Sequence, residues 1–185
     1  MGYKRGLSSF KRIVAEFEQK WIATGIDREN LWSIPTEMNE EANFVGEILM
    51  LIGMMNTAEA HAFLCSVFEN SPSARLRSGA VDAMGYEEDF FDRKIILSIL
   101  RMDDEWLVCC ALWVFLMQLT QVKGRYKLMD EYVVPHLKSR SPLVRHHALD
   151  ILAEHPKFKP VIRPLVNDPD EQVATRARVA LTNLG

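Results

Sequence analysis

Five segments of this 185-residue chain carry one apolar frame, and that recurrence limits the fold more than any other feature. SPSARLRSGAVDAMG (71–85) and DPDEQVATRARVALT (168–182) share a turn with Pro at its second position and an aliphatic anchor at Leu76 or Val173. Ala80 or Ala177, Ala83 or Ala180, and Met84 or Leu181 then follow at matching offsets. Leu107, Ala111, Val114 and Phe115 fit the frame, as do Val144, Ala148, Ile151 and Leu152, and more loosely Phe44, Ile48, Leu51 and Ile52. The anchors Phe44, Leu76, Leu107, Val144 and Val173 therefore stand 32, 31, 37 and 29 residues apart. A period near ~30 with two helices per unit is the signature of stacked helical hairpins, each burying its apolar face against its neighbours. Recurrent alanines fit that arrangement, because the second helix of a hairpin approaches both its partner and the next unit closely.

The apolar spacing is helical nearly throughout, with no alternating pattern bounded by hairpin turns. Phe10, Ile13, Val14, Phe17 and Trp21 share one face, with Ser8 or Ser9 as cap, so the first element is an amphipathic helix of about 15 residues ending near Gly25. A loop holding Leu31, Trp32, Ile34 and Pro35 follows. Further helices are expected at 37–54, 57–69, 73–84, 89–101, 104–119, 123–138, 142–154, 158–166 and 170–184. Breaks such as Ser71-Pro72, Ser141-Pro142 and Asp168-Pro169 separate them.

Charged residues at 25%, hydrophobic ones at 48% and a net charge of -3 are the balance of a folded chain, and disfavour nucleic-acid binding through bulk positive charge. The apolar run Trp106 to Leu119 falls short of the ~20 residues that cross a bilayer, so a buried helix and no membrane span is expected. The opening MGYKRGLSSFKRIV lacks the core of a secretory signal, and three cysteines leave at least one thiol unpaired, so a reducing, cytoplasmic setting is expected.

The run turn-Pro-x-x-x-Val-Arg-x-x-Ala-x-x-Ala-Leu-Gly resembles the second helix of HEAT repeats, and Ser71-Pro72, Leu76-Arg77, Ala80 and Ala83-Met84-Gly85 match it well. The resemblance implies an all-α, right-handed α-solenoid of about five short HEAT-like hairpins over residues 36–185. Residues 1–35 would form a capping helix and loop, in a single domain overall. The family often stacks a turn Asp and an Arg after the anchor as a ladder. Here Asp168 is paired with Ala174, Arg77 and Arg145 lack a turn Asp in their own repeats, and Val108 replaces the Arg in the central one. A regular ladder is not expected, and packing should carry the cohesion.

In such solenoids the second helices line the concave surface. One column of side chains there would be Asn43, Arg75, Trp106, Leu143 and Gln172; a second Gly46, Ser78, Cys109, His146 and Thr175; a third Met50, Asp82, Trp113, Asp150 and Val179. Trp106, Cys109 and Trp113 share one face of the central helix, opposite Leu107, Ala111, Val114 and Phe115. That face is either covered, by the first helices, the N-terminal helix or the Trp32 loop, or it is the floor of a groove, where tryptophans dominate binding energies. Adjacent Cys109 and Cys110 diverge by about 100° on a helix, so a shared metal or a disulfide is disfavoured and packing is the better reading. A residual constellation of Cys109, His146 and Asp150 as nucleophile, base and orienter stays open. His136, His146, His147 and His155 cluster in sequence, yet none is followed by Glu, and no metal or cofactor is expected.

Charge is polarised along the chain: residues 36–105 hold 14 acids and 5 bases, residues 106–165 hold 9 bases and 4 acids. Glu87-Glu88-Asp89 and Asp103-Asp104-Glu105 concentrate the acid, as solvated faces or as steering for a charged partner. These features point to a non-catalytic protein-binding module, an adaptor or inhibitor. It would bind one macromolecular partner through Arg75, Ser78, Asp82, Asp103, Asp104, Glu105, Trp106, Cys109, Trp113, His146 and Asp150. Bacterial immunity proteins that neutralise a basic toxin are one such class by size and charge. The alternative is a nucleic-acid-binding HEAT-like protein of the DNA glycosylase type, for which Trp106, Trp113, Arg145 and Asp150 supply ingredients and the negative net charge is adverse.

Overall fold

The computed structural model describes residues 2–24, 36–120 and 122–184, and these are helical with no strand among them. The Leu31, Trp32, Ile34 and Pro35 loop lies outside the described residues. The chain divides into two compact units, 1–93 and 94–185.

In the first unit, α1 (Gly2–Thr24) packs on α2 (Thr36–Met54), which packs against α3 (Ala58–Asn70) and α4 (Ala74–Met84). α1 is longer than expected, and Ser8 and Ser9 sit exposed within it instead of capping it. Leu7, Val14 and Trp21 form its buried stripe. In α2 the expected anchor is wrong by one residue. Phe44 and Leu51 are 46% and 44% exposed, whereas Val45, Ile48, Leu49 and Ile52 are buried at i, i+3, i+4 and i+7. The repeat frame loses its grip there because two overlapping apolar stripes compete on one helix. Gly53 lets α2 meet α4 at the closest point, where a Cβ would collide with the Ala83 carbonyl.

The second unit contains α5 (Arg93–Ile99) from its second residue on, α6 (Glu105–Gln118), α7 (Arg125–Leu128), α8 (Pro142–Leu152), α9 (Lys159–Ile162) and α10 (Glu171–Asn183). α6 packs on α8, and α8 on α10. Its core holds Ile96, Ile99, Leu112, Phe115, Met129, Leu149 and Ile162. Two expected helices are broken for a common reason: proline has no N–H to donate to the ladder. The expected 123–138 helix is α only to Leu128, continues as a π turn over Met129–Val133 and tightens to a 3-10 turn around Pro135. The expected 158–166 helix is interrupted likewise, with Pro156, Pro160 and Pro164 opening successive short turns.

Four helix starts are built alike. Ser73, Asp104, Ser141 and Asp170 cap α4, α6, α8 and α10, and each side chain accepts from the N–H three residues on, at Leu76, Leu107, Val144 and Val173. The frame anchors are therefore the third helical residues of their helices, and each cap contributes about 1 kcal/mol. Ahead of three of these caps the Ser71 hydroxyl, the Ser139 hydroxyl and the Asp168 carboxylate accept from the N–H of Ser73, Ser141 and Asp170.

One cross-repeat rung does form. Arg145 donates from Nε and Nη2 to both Asp168 oxygens at 2.9 and 2.6 Å, and from Nη1 to the carbonyls of Ser139 and Arg140. The turn Asp of one repeat thus serves the Arg of the preceding repeat, not of its own. Both side chains are nearly buried, at 10% and 4% exposure, and the guanidinium holds the Asp168 carboxyl below its usual range. Arg77 occupies the same place as Arg145, with its Nη1 bonded to the Ser71 carbonyl six residues back.

Candidate functional site

The expected columns on α4, α6 and α8 are only partly surface. Ser78 and Cys109 are buried at 4% and 6% exposure, so these two positions are corrected from contact to packing residues. The Ser78 hydroxyl turns back to the Arg75 carbonyl, 2.9 Å away. Trp106 and Trp113 are half-buried, as are Arg75 and Asp82, with the Arg75 guanidinium 5.8 Å from the Trp21 ring. His146 and Asp150 pair with each other at 3.3 Å, and Asp150 also accepts from Arg176 of α10 at 2.5 Å. That carboxylate is thus engaged on both sides, while Cys109 is buried in the helix that precedes it.

The acidic run before α6 divides into different tasks. Asp104 is the cap, accepting from Trp106 and Leu107 N–H at 3.1 and 3.0 Å, and Glu105 accepts from the Ser141 hydroxyl. Asp103 is exposed. A cleft of about 630 Å³ opens here, and its lining includes Met102, Asp103, Glu105, His136, Lys138 and Arg140. Val108 and Val144 form part of its apolar lining. His136 donates its Nε2–H to the Leu100 carbonyl at 3.0 Å, and burial pushes its pKa down, so the ring is a neutral element of that lining. Acids and bases that the sequence separates by about one repeat are brought into the lining of one cleft. The chain can therefore present acidic and basic side chains together, in a mainly polar cleft, to an extended ligand.

A second constellation lies in the first unit and was not expected. Glu87 was placed with Glu88 and Asp89 as a surface acid; it is instead 1% exposed. Its two oxygens lie 3.1 and 2.9 Å from His61 Nδ1, and His61 Nε2 lies 3.4 Å from Cys65 Sγ. Burial raises the Glu87 pKa, partly offset by the His61 hydrogen bond. Burial, followed by the field of Glu87, Glu69 and Asp92, pushes the Cys65 thiol up to about 11. The turn that carries Glu87 is fixed by Asn56, a non-glycine residue at φ 48. Its Oδ1 accepts from the N–H groups of Glu88 and Asp89 at 3.1 and 3.0 Å, and its Nδ2 donates to the Asp89 carboxylate at 2.9 Å. This turn also explains why α5 starts at Arg93 and not at the expected 89. The i, i+4 spacing of His61 and Cys65 is visible in the sequence; nothing there marks Glu87 as their partner.

Among the described residues no helix is long and apolar enough to cross a membrane. Comparison with solved structures places the chain among helical-repeat proteins. A designed armadillo repeat protein in complex with the peptide (KR)4 superposes with a TM-score of 0.56 and 16% identity, covering 97% of this chain and 91% of that one. The fold is therefore an α-solenoid type of stacked helices. A scan of protein families and a search of curated proteins find no match.

Proposed function

We propose that the chain is a non-catalytic module that binds an extended segment of a protein partner, with the cleft at the start of α6 as its contact. The observation that carries this reading is the cleft itself: exposed Asp103, Glu105, Lys138 and Arg140 line it together. A peptide with alternating charge can pair with both kinds of side chain, a mode in which complementary charge sets register. The armadillo neighbour binds a Lys- and Arg-containing peptide. HEAT-like repeats, a cytoplasmic address and an immunity role against a basic toxin are the finer form of the proposal. The acid before α6 and half-buried Trp106 and Trp113 would then form the toxin contact.

Binding of fluorescent (KR)4 and (KE)4 peptides, and of duplex DNA as a competing class, is measured by anisotropy across a salt series. Peptide binding that weakens about 2–5-fold in Asp103→Lys, as loss of an exposed charge contact implies, supports the proposal. No binding of either peptide at low salt, or equal binding by Asp103→Lys, removes the cleft as the site. DNA binding with a steep salt dependence would move the chain to the nucleic-acid class.

A further inference from the structure

We propose that Cys65 is a base-assisted nucleophilic thiol that takes small cationic disulfides by thiol–disulfide exchange, with His61 as the base and Glu87 as a positioning residue. The site is built from two elements of the first unit. α3 places His61 and Cys65 one turn apart, and the turn after α4 places the Glu87 carboxylate under the far side of the imidazole. A carboxylate against Nδ1 holds the ring in the tautomer that carries its proton there, so Nε2 offers its lone pair to the thiol. Nucleophile, base and orienter are thus in the order that activated cysteines use. The Phe90 ring lies along the imidazole, with centroids 6.4 Å apart and planes tilted by 30°, and fixes its plane. Asn56 at φ 48 holds the turn; a non-glycine residue in this region costs about 1–2 kcal/mol, which the three bonds to Glu88 and Asp89 repay.

In the exchange, His61 Nε2 takes the Cys65 proton as Sγ attacks the nearer sulfur of the incoming disulfide. A new S–S bond forms to Cys65, the old S–S bond breaks, and the departing thiolate takes the proton from the imidazolium. Cys65 is oxidised to a mixed disulfide, and the departing half is reduced to a thiol. Glu87, already facing Nδ1, stabilises the transient imidazolium. Assistance by the base matters here because a thiol with a pKa near 11 is only about one part in ten thousand thiolate at pH 7. The carboxylates of Glu87, Glu69 and Asp92 that raise that pKa also select the reagent, attracting a cationic disulfide and repelling an anionic one.

The test uses the full chain with cystamine, a dication, and 3,3′-dithiodipropionate, a dianion. Mixed disulfide at Cys65, Cys109 and Cys110 is followed by peptide mass spectrometry. At pH 7.5 Cys65 reacts with cystamine at least 10-fold faster than Cys110 does, and at least 5-fold faster than with the dianion at low salt. His61→Gln and Glu87→Gln each slow Cys65 at least 10-fold while circular dichroism stays unchanged. The wild-type pH profile is independent of whether the variants fold. Its cystamine rate changes by less than about threefold between pH 7 and 9, because proton transfer to the base and not the free thiolate fraction sets it. A rate that instead climbs tenfold per pH unit from 6 to 9, or His61→Gln reacting as fast as wild type, overturns the proposal.

Discussion

Removing Asp168 tests whether a cross-repeat rung, and not packing alone, holds α8 to α10. Asp168→Ala takes both acceptors from Arg145 Nε and Nη2 and one from the Asp170 N–H. Arg145 is nearly buried and keeps only the carbonyls of Ser139 and Arg140, so its charge loses its counter-ion without regaining water. Breaking one side of a buried pair costs about 3–5 kcal/mol. For a chain of this size each kcal/mol moves Tm by about 2–4 °C, so thermal denaturation at pH 7 should show a fall of about 10 °C. The pH dependence carries a sign. Folded Asp168 stays ionised below the ordinary value of 3.8, so the unfolded chain binds a proton there that the folded chain does not. The rung stabilises above that pH and its contribution disappears as pH falls below it, so Asp168→Ala and wild type converge in acid. Replacing both partners, Arg145→Met with Asp168→Leu, should recover most of the loss, because no charge is left unpaired. Additive losses in the double-mutant cycle, or a single-variant cost under about 1 kcal/mol, would refute the reasoning.

Other outcomes follow from single positions. Gly53→Ala should cost several kcal/mol in urea unfolding, because its Cβ meets the Ala83 backbone; Gly46→Ala on the same helix, with open space around it, should stabilise by about 0.5–1 kcal/mol. Ser73→Ala and Ser141→Ala should each lose about 1 kcal/mol by the same measurement, as lost caps do. Glu87 has a raised pKa in the folded protein, so its burial costs stability as pH rises past 4.5 and it ionises. Glu87→Gln should therefore flatten the fall of stability between mildly acidic and neutral pH, seen in denaturant titrations at several pH values.

The helices and their anchors were legible because burial repeats at helical spacing: Leu76, Leu107, Val144 and Val173 are all buried. The frame slipped at Phe44, where Val45 and Leu49 offer a rival stripe one residue round the helix. Polar partnerships were harder to see. A turn acid such as Asp168 looks for its Arg in its own repeat, but the bond runs 23 residues back to Arg145. Glu87 sits in a run of three acids whose composition says solvent; its burial depends on a turn that Asn56 closes from 32 residues away. The acids and bases of the cleft belong to separate charge segments of the sequence, and only the stacking of hairpins brings them into one lining.

The Arg145–Asp168, His61–Glu87 and Asp150–Arg176 bonds span 23, 26 and 26 residues, about one repeat each. Each can form as soon as the next hairpin docks, at a loop-closure cost that changes by well under 1 kcal/mol from one to another. Order can then spread from one formed hairpin to the next, which favours rapid folding over a search for distant partners. Within each unit, a growing chain could secure every new hairpin to the one before it while the remainder is still being made.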